Sequence, residues 1–253
     1  MIEIENLGKR FGDLVAVKNI NLTVRPGEIL GFLGPNGAGK TTTVKILSGL
    51  MSPTAGRAAI AGHDIVLEPE AAKRCLALVP DEPFVYPKLT GLEFMAFMGD
   101  LYEVSRAAQT AEIPRYLEMF DLTAMGNELL ESYSHGMRQK LVLASVLLRK
   151  PKVLLLDEPM VGLDPKSARM VKHILKELAD NGTAIFMCTH ILEIAEKLCT
   201  RIGIMYEGEI IQMGTIEQLR ERSGSPLEDS SGRRISLEDI FLTLTGGSGY
   251  SQL

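Results

Sequence analysis

The sequence of 253 residues has few cysteines, no long apolar run and no excess of basic residues. Its three cysteines, Cys75, Cys188 and Cys199, are scattered and form no Cys-x-x-Cys pair. That pattern disfavours a disulfide framework or a zinc site and indicates reduced thiols. No stretch reaches the roughly 18 consecutive apolar residues of a membrane-spanning helix, and the first residues contain no apolar signal core. We therefore expect a chain that is itself soluble.

Charge and composition narrow the class of protein further. Lys and Arg number 27 against 32 Asp and Glu, which gives a net charge of −5. Proteins that bind nucleic acid usually carry a basic excess, so we expect no nucleic-acid partner. Hydrophobic residues make up 45% and charged residues 23%, a globular composition that excludes collagen, coiled coil and wholesale disorder. The length fits one large α/β domain, or two lobes that share a core.

Apolar periodicity predicts an α/β fold with a mostly parallel sheet. Strands are predicted in the first 30 residues and at 28–33, 76–79, 153–156, 183–188, 202–206 and 210–213. Helical patterns separate the later strands, which indicates a sheet covered on both faces. A helix-rich block at about 88–150 predicts an inserted subdomain. Charged residues 220–234 are expected in a solvated loop, and Ser236 is expected to cap a short C-terminal helix.

A glycine-rich octapeptide lies between a predicted strand and a predicted helix at 41–50. It reads Gly34-Pro-Asn-Gly-Ala-Gly39-Lys40-Thr41 and fits the pattern G-x-x-x-x-G-K-[ST]. Successive backbone N–H groups in such a loop form an anion nest, to which the helix start adds its positive end. Lys40 can reach the β- and γ-phosphates, and the Thr41 hydroxyl can ligate Mg²⁺. The alternative is a glycine turn that only caps a helix, but the strand and helix around it favour a phosphate site.

A second motif supports this interpretation. The apolar run 153–156 predicts a buried strand, and Asp157 and Glu158 follow it. Ligands bind at the carboxyl ends of parallel strands, so Asp157 suits a Mg²⁺ ligand of the second coordination sphere and Glu158 suits polarising an attacking water. The alternative, surface acids before a proline turn, is weaker downstream of a phosphate loop.

With these motifs in place, the sequence resembles the ATP-binding subunit of ABC transporters from residue 1 to about 220. The family's motifs occur in order: the phosphate loop at 34–42, the glutamine-loop segment at 79–83, the signature at 133–137, Walker B at 153–158, the D-loop at 162–165, and the switch histidine His190. The segment SLEDIFLTLTG is similar to the C-terminal part of ABC-2-type ATPases that export drugs, polysaccharides and lipids.

The resemblance implies a P-loop NTPase core with a mixed, mostly parallel sheet, an N-terminal antiparallel β subdomain and a helical signature subdomain. It divides the chain into an ATPase domain at 1–221, with the helical subdomain at about 88–150, and a loop with a short helix at 222–253. The resemblance also implies that Lys40, Glu158 and His190 are catalytic. Mg²⁺ ligands would be Thr41, Asp157 and Asp81.

Nucleotide contacts are implied for Phe11, which would stack on adenine, for Ser134 and Gly136 of the opposite protomer, and for the phosphate loop. The loop residues are Gly34, Pro35, Asn36, Gly37, Ala38, Gly39, Lys40, Thr41 and Thr42. Simpler alternatives stay open at three positions. Phe11 could be a core aromatic, Ser134 an ordinary helix cap, and Asp164 either a residue that bridges the two sites of a dimer or a turn residue before Pro165.

The implied ligands are ATP and Mg²⁺, and the implied assembly is a head-to-tail homodimer that sandwiches ATP. A separate membrane permease would dock near residues 81–100, which would place the chain at the cytoplasmic face of a membrane. The alternatives are a soluble or regulatory ABC ATPase that powers no transport, and a degenerate nucleotide-binding interaction module.

Two positions depart from the family pattern. Asp81 stands where glutamine is common, and its shorter, charged side chain is expected to reach a metal only through water. The signature reads Ser-His-Gly-Met where Ser-Gly-Gly-Gln is usual, so His135 adds bulk and Met137 removes an amide.

Overall fold

The computed structural model describes residues 1–222 and 236–245, which form two β-sheets and the helices around them. In chain order the elements are β1 (Ile2–Phe11), β2 (Leu14–Val24), β3 (Ile29–Leu33), α1 (Lys40–Leu47), β4 (Ala55–Ile60), β5 (His63–Asp64), α2 (Pro69–Cys75), β6 (Leu76–Val79), α3 (Gly91–Leu101), α4 (Arg106–Met119), α5 (His135–Leu148), β7 (Val153–Asp157), α6 (Pro165–Asp180), β8 (Ala184–Thr189), α7 (Leu192–Leu198), β9 (Arg201–Tyr206), β10 (Glu209–Gly214), α8 (Ile216–Arg222) and α9 (Leu237–Leu244).

The larger sheet has six strands in the order β10-β9-β3-β8-β7-β6. All its neighbours pair in parallel except β9 and β10, which are antiparallel. Strands β3, β7 and β8 are buried along their whole length, as expected for continuous apolar runs covered on both faces. Because they are parallel, their carboxyl ends meet at one edge of the sheet, where the predicted motifs begin.

The smaller sheet is antiparallel, in the order β2-β1-β4-β5. Alternate residues Ile20, Leu22 and Val24 of β2 are buried, which confirms the strand pattern read from the sequence. Strand β4 and helix α2 had no sequence prediction. The β4 segment AGRAAI lacks alternation, and α2 has only seven residues, so tertiary contacts decide both.

Helices α3, α4 and α5 form the inserted helical block, and each begins at a capping hydroxyl. Thr90 caps α3 in a reciprocal pair with Glu93, Ser105 caps α4, and Ser134 caps α5. Helix α5 packs against α3, α4 and strand β6, so it joins the helical block to the sheet. The predicted fold class is confirmed.

The C-terminal helix α9 begins as the sequence predicted. Ser236 and Asp239 form a capping box, while most of the expected loop (residues 223–235) and the last residues (246–253) lie outside the described part. The expectation that the charges from Arg220 onward are solvated is wrong for Arg220. It belongs to α8, is 16% exposed and pairs with Glu196 at 2.7 Å.

Among residues 1–222 and 236–245, the helices are all too short or too polar to cross a bilayer.

Candidate functional site

The phosphate loop connects β3 to α1, and its backbone geometry requires glycine. Gly37 and Gly39 have φ of 80° and 107°, a left-handed region that other residues adopt at a cost. A Cβ on Gly34 would overlap the carbonyl oxygen of Met205, and one on Gly39 would overlap that of Ala16. The loop is therefore fixed by backbone contacts to β9 and β2 as well as by its own sequence.

A turn between β9 and β10 supports the same loop. Gly208 donates its N–H to the carbonyl of Ala38 at 3.0 Å, and its own carbonyl accepts from the N–H of Lys18 at 2.7 Å. Sequence reasoning missed Met205 and Gly208. The glycine after Glu207 marks a turn, but nothing in the sequence says what that turn contacts.

Lys40 lies at the centre of the loop and is only 7% exposed. Its Nζ donates to the carbonyls of Gly34 at 2.7 Å and Pro35 at 3.0 Å. These contacts hold the ammonium group of Lys40 beside the backbone of the phosphate loop. An anion bound there would meet both this ammonium group and the backbone N–H groups of the loop.

Thr41, Asp157 and Asp81 come together beside Lys40. Burial raises the pKa of Asp157, and the negative charges of Asp81 and Glu158 raise it further. A hydrogen bond from Thr41 and the positive charge of Lys40 oppose this rise in pKa. The structure thus gathers a hydroxyl and carboxylate oxygens, ligands that Mg²⁺ prefers, close to the buried Lys40.

Glu158 and His190 form a direct pair at the same edge. His190 Nδ1 lies 2.9 Å from Glu158 Oε1, and the backbone N–H of His190 donates to Oε2 at 3.3 Å. Glu158 has φ of 49°, a conformation that costs a non-glycine residue about 1–3 kcal/mol. Its N–H donates to the carbonyl of Cys188 at 3.0 Å. Strand β8 thus holds Glu158 in a strained backbone conformation, and the contacts with His190 fix the position of its carboxylate.

Phe11 ends β1 and is 44% exposed, so the alternative of a core aromatic is wrong. Lys9 Nζ lies 5.1 Å from the centre of its ring, a cation–π contact, and also donates to the carbonyl of Ser52 at 2.8 Å. The ring is therefore held by a neighbour while much of its surface stays open to a ligand.

The signature segment lies against the D-loop of the same chain. Ser134 Oγ accepts the N–H of Met137 at 3.3 Å, so Ser134 is a real helix cap. A Cβ on Gly136 would come within 2.6 Å of the Gly162 carbonyl, and one on Gly162 within 2.7 Å of the His135 ring. Only glycines allow this close approach.

Asp164 is the cap of α6. Its carboxylate accepts the N–H of Ser167 at 2.9 Å and the Ser167 hydroxyl at 2.5 Å, and Lys140 Nζ lies 3.2 Å away. These hydrogen bonds from Ser167, followed by that from Lys140, hold the pKa of Asp164 well below its usual range. Sequence reasoning gave no role to Lys140, because its partner lies 24 residues away along the chain.

Two of the three cysteines, Cys188 and Cys199, pack against the core. Burial raises the pKa of Cys199 to about 12 and that of Cys188 well above its usual range. Both are therefore thiols rather than thiolates at neutral pH, and neither acts as a nucleophile.

A cleft of about 780 Å³ lies between the helical block and the sheet. Exposed apolar side chains line it, and we call this surface the aromatic groove: Phe84, Tyr86, Phe97, Leu101 and Tyr102. Tyr86 meets Phe84 and Phe97 edge-on, with ring centres 5.7 and 5.4 Å apart.

Comparison with known proteins identifies this arrangement. The ABC transporter family model matches residues 17–161, more than half of the chain. The chain belongs to the ABC transporter family. It is 36% identical over 224 residues to the linearmycin resistance ATP-binding protein LnrL of Bacillus subtilis, a match that covers 88% of this chain and 72% of LnrL.

Two solved structures of the family share the fold. A structure of the ATP binding subunit of an ABC transporter superimposes with a TM-score of 0.89 at 30% identity, over 96% of this chain and 99% of the other. The ATP-binding cassette MJ0796, a dimer in a post-hydrolysis state bound to ADP and Pi, has a TM-score of 0.77 at 26% identity, over 85% of this chain and 99% of the other. This ABC protein is an ATPase.

Proposed function

We propose that this ABC protein is the ATP-hydrolysing subunit that powers a separate membrane permease for the export of a drug, lipid or polysaccharide. The observation that carries the proposal is the meeting of Lys40, the Thr41–Asp157 pair and the Glu158–His190 pair at one edge of the sheet. We assign residues 1–221 to the ATPase domain, with its helical subdomain at about 88–150, and 222–253 to a C-terminal segment. The relative's role in linearmycin resistance favours a drug among these substrates.

ATP binds along the phosphate loop in this proposal. Residues 34–42 surround the β- and γ-phosphates with N–H groups, and Lys40 exchanges its carbonyl partners for phosphate oxygens. Adenine stacks on the exposed ring of Phe11. Stacking on an aromatic side chain contributes about 1–3 kcal/mol per base and tolerates any base, so ATP is expected to be preferred over GTP only mildly.

The residues beside the phosphates fit Mg²⁺. Thr41 and Asp157 offer oxygen ligands. A divalent cation would oppose the effects of burial and of the nearby negative charges, which raise the pKa of Asp157. Asp81 is exposed and would act through water. When bound, Mg²⁺ supplies charge neutralisation on the β- and γ-phosphate oxygens.

Glu158 acts on the attacking water. Its carboxylate accepts the water's proton while the water oxygen bonds to the γ-phosphorus and the bond to the bridging oxygen breaks, so that ADP leaves. His190, within 2.9 Å of Glu158, orients the carboxylate and contacts the γ-phosphate. Lys40 neutralises negative charge on the phosphates of the leaving ADP. Positioning and electrostatics supply most of the acceleration.

A second copy completes the site. Ser134 and Gly136 lie at the start of the 14-residue helix α5, where a hydroxyl, N–H groups and the helix dipole can meet a phosphate. Two copies close head-to-tail, so that each signature covers the ATP on the other. Asp164 belongs to the D-loop and lies at the same interface. Hydrolysis and product release reopen the dimer.

The aromatic groove is the surface that we assign to the permease. Phe84 is 75% exposed and Leu101 57%, and contiguous apolar exposure of this kind marks an interaction site. The groove adjoins Asp81 in sequence and is lined by α3 and α5, so rotation of the helical block would move it. A permease docked there places this chain at the cytoplasmic face of the membrane.

Replacing Glu158 by glutamine tests the mechanism. Glu158→Gln keeps the shape of the side chain but removes the proton acceptor, so hydrolysis should slow by about a hundredfold or more. Because ATP stays intact, the closed dimer should accumulate. Turnover assays and light scattering with MgATP measure both effects.

Glu193→Gln is the matched control. Glu193 is an exposed acid on α7, three residues after His190, and its variant should hydrolyse ATP normally. If Glu158→Gln stays monomeric with MgATP although it binds the nucleotide, the head-to-tail dimer is wrong.

A further inference from the structure

The C-terminal helix α9 packs against α7, α8 and the strands β3 and β9 of the larger sheet. Leu237 and Ile240 are fully buried and Phe241 is 3% exposed. Together they form one apolar cluster with residues of four other elements: Leu33, Leu192, Ala195, Ile202, Ile204 and Leu219. Helix α9 of the C-terminal segment thus packs against the ATPase domain, although 13 residues between it and α8 lie outside the described part.

Two members of this cluster adjoin the site. Leu33 ends β3 and immediately precedes Gly34 of the phosphate loop. Leu192 begins α7, two residues after His190. Burial of three large apolar side chains of α9 stabilises this packing, so the helix holds both neighbours firmly.

Helix α7 lies between two apolar layers. Its Leu192 and Ala195 face the α9 cluster, whereas Ile194 and Leu198 belong to the main core. A polar contact adds to this packing. Glu196 of α7 accepts from Arg220 of α8 at 2.7 Å and from the N–H of Leu237 at 3.5 Å. The position of α7 is therefore set jointly by the core, by α8 and by α9.

We propose that α9, through Leu237, Ile240 and Phe241, is a positioning element for ATP hydrolysis. It holds the start of α7 and thereby keeps His190 within hydrogen-bonding distance of Glu158. The phosphate loop has further supports in Gly208 and Met205, so the effect of α9 falls on the chemical step rather than on nucleotide binding. This inference rests on the roles proposed for Glu158 and His190.

Phe241→Ala in the full chain tests the proposal. Because a displacement on the order of 1 Å can cost about a hundredfold in rate, kcat should fall by about tenfold, while KM for ATP stays within about twofold. Amide hydrogen exchange at residues 190–195 should rise, with the β3 and β7 amides unchanged. Phe241→Leu should recover most of the rate. Glu238→Gln, on the exposed face of α9, is the control.

A double-mutant cycle shows whether α9 acts through His190. If it does, His190→Ala combined with Phe241→Ala is no slower than His190→Ala alone, because the positioned group is already gone. Two independent rate losses that multiply would overturn the proposal, and so would an unchanged kcat and exchange rate in a folded Phe241→Ala variant. A His190→Ala variant with full activity would instead refute the role of His190.

Discussion

The nucleotide site and the aromatic groove are two surfaces of the same ATPase, and they are built in opposite ways. The nucleotide site holds buried polar groups such as Lys40 and Asp157, and its backbone is left-handed at Gly39 and Glu158. The groove exposes large apolar side chains such as Phe84. Chemistry needs atoms fixed to a fraction of an ångström, whereas a docking surface needs apolar area that a partner can cover.

This contrast predicts that the two surfaces can be disabled separately. The largest effect is expected from Lys40→Ala, which removes the ammonium from the phosphate loop. Hydrolysis should fall by about 10²-fold or more, the scale seen when a preorganised electrostatic contact is lost, and tight binding of a fluorescent ATP analogue should be lost with it. If the groove binds the proposed permease, a membrane protein should still be recovered with this variant.

Lys45→Ala is the matched control for this change, since Lys45 lies on the same helix but is exposed. Its turnover should equal that of the unmodified protein. Full activity in Lys40→Ala would refute the phosphate-loop assignment.

An intermediate effect is expected in the groove. Changing Phe84 and Phe97 to alanine removes two rings that contact Tyr86 and should reduce co-purification of a multi-helix membrane protein from native membranes by about tenfold. ATP hydrolysis by the purified chain should stay within about twofold, because neither ring touches the nucleotide site. Detergent pull-down with mass spectrometry measures the first effect and a turnover assay the second.

Ile211→Ala provides the comparison for the groove, because Ile211 is exposed on the edge strand β10. Its variant should retain the membrane protein. Recovery of only soluble proteins by an unmodified chain that hydrolyses ATP would favour a soluble or regulatory ABC ATPase instead.

The smallest effect concerns the contact that joins α5 to the D-loop. Hydrogen bonds from Ser167 and Lys140 lower the pKa of Asp164 in the folded protein. A lowered folded pKa favours the native state above the unfolded value of about 3.8, and this stabilisation is lost as the pH falls below that value. Asp164→Asn retains the helix cap but removes the charge.

Asp164→Asn should therefore lower Tm slightly at pH 7, and the difference from the unmodified protein should shrink between about pH 4 and pH 3. Thermal unfolding followed by circular dichroism at about pH 7, pH 4 and pH 3 checks this. A Tm difference that stays the same from pH 7 to pH 3 would show that the charge of Asp164 does not contribute.

Much of the nucleotide site could be predicted from the sequence because its requirements are local. The phosphate loop needs glycines at fixed spacing, and Asp157 and Glu158 follow an apolar strand directly. The strand pattern of β2 and the cap at Ser236 were equally readable, since alternation and capping depend on neighbours along the chain. The Lys140–Asp164 contact and the hydrogen bond from Gly208 to the phosphate loop could not be predicted, because each joins residues that are distant in sequence.

The sequence by itself determined the strands of the larger sheet, the phosphate-binding motif and the family. Only the tertiary structure decided that Phe11 is exposed, that Glu158 meets His190, and that the aromatic residues of 84–102 line one groove. It also decided that α9 packs behind the phosphate loop and α7. The physical reason is that motifs record backbone conformation and local chemistry, whereas burial and contact depend on which distant segments fold against each other.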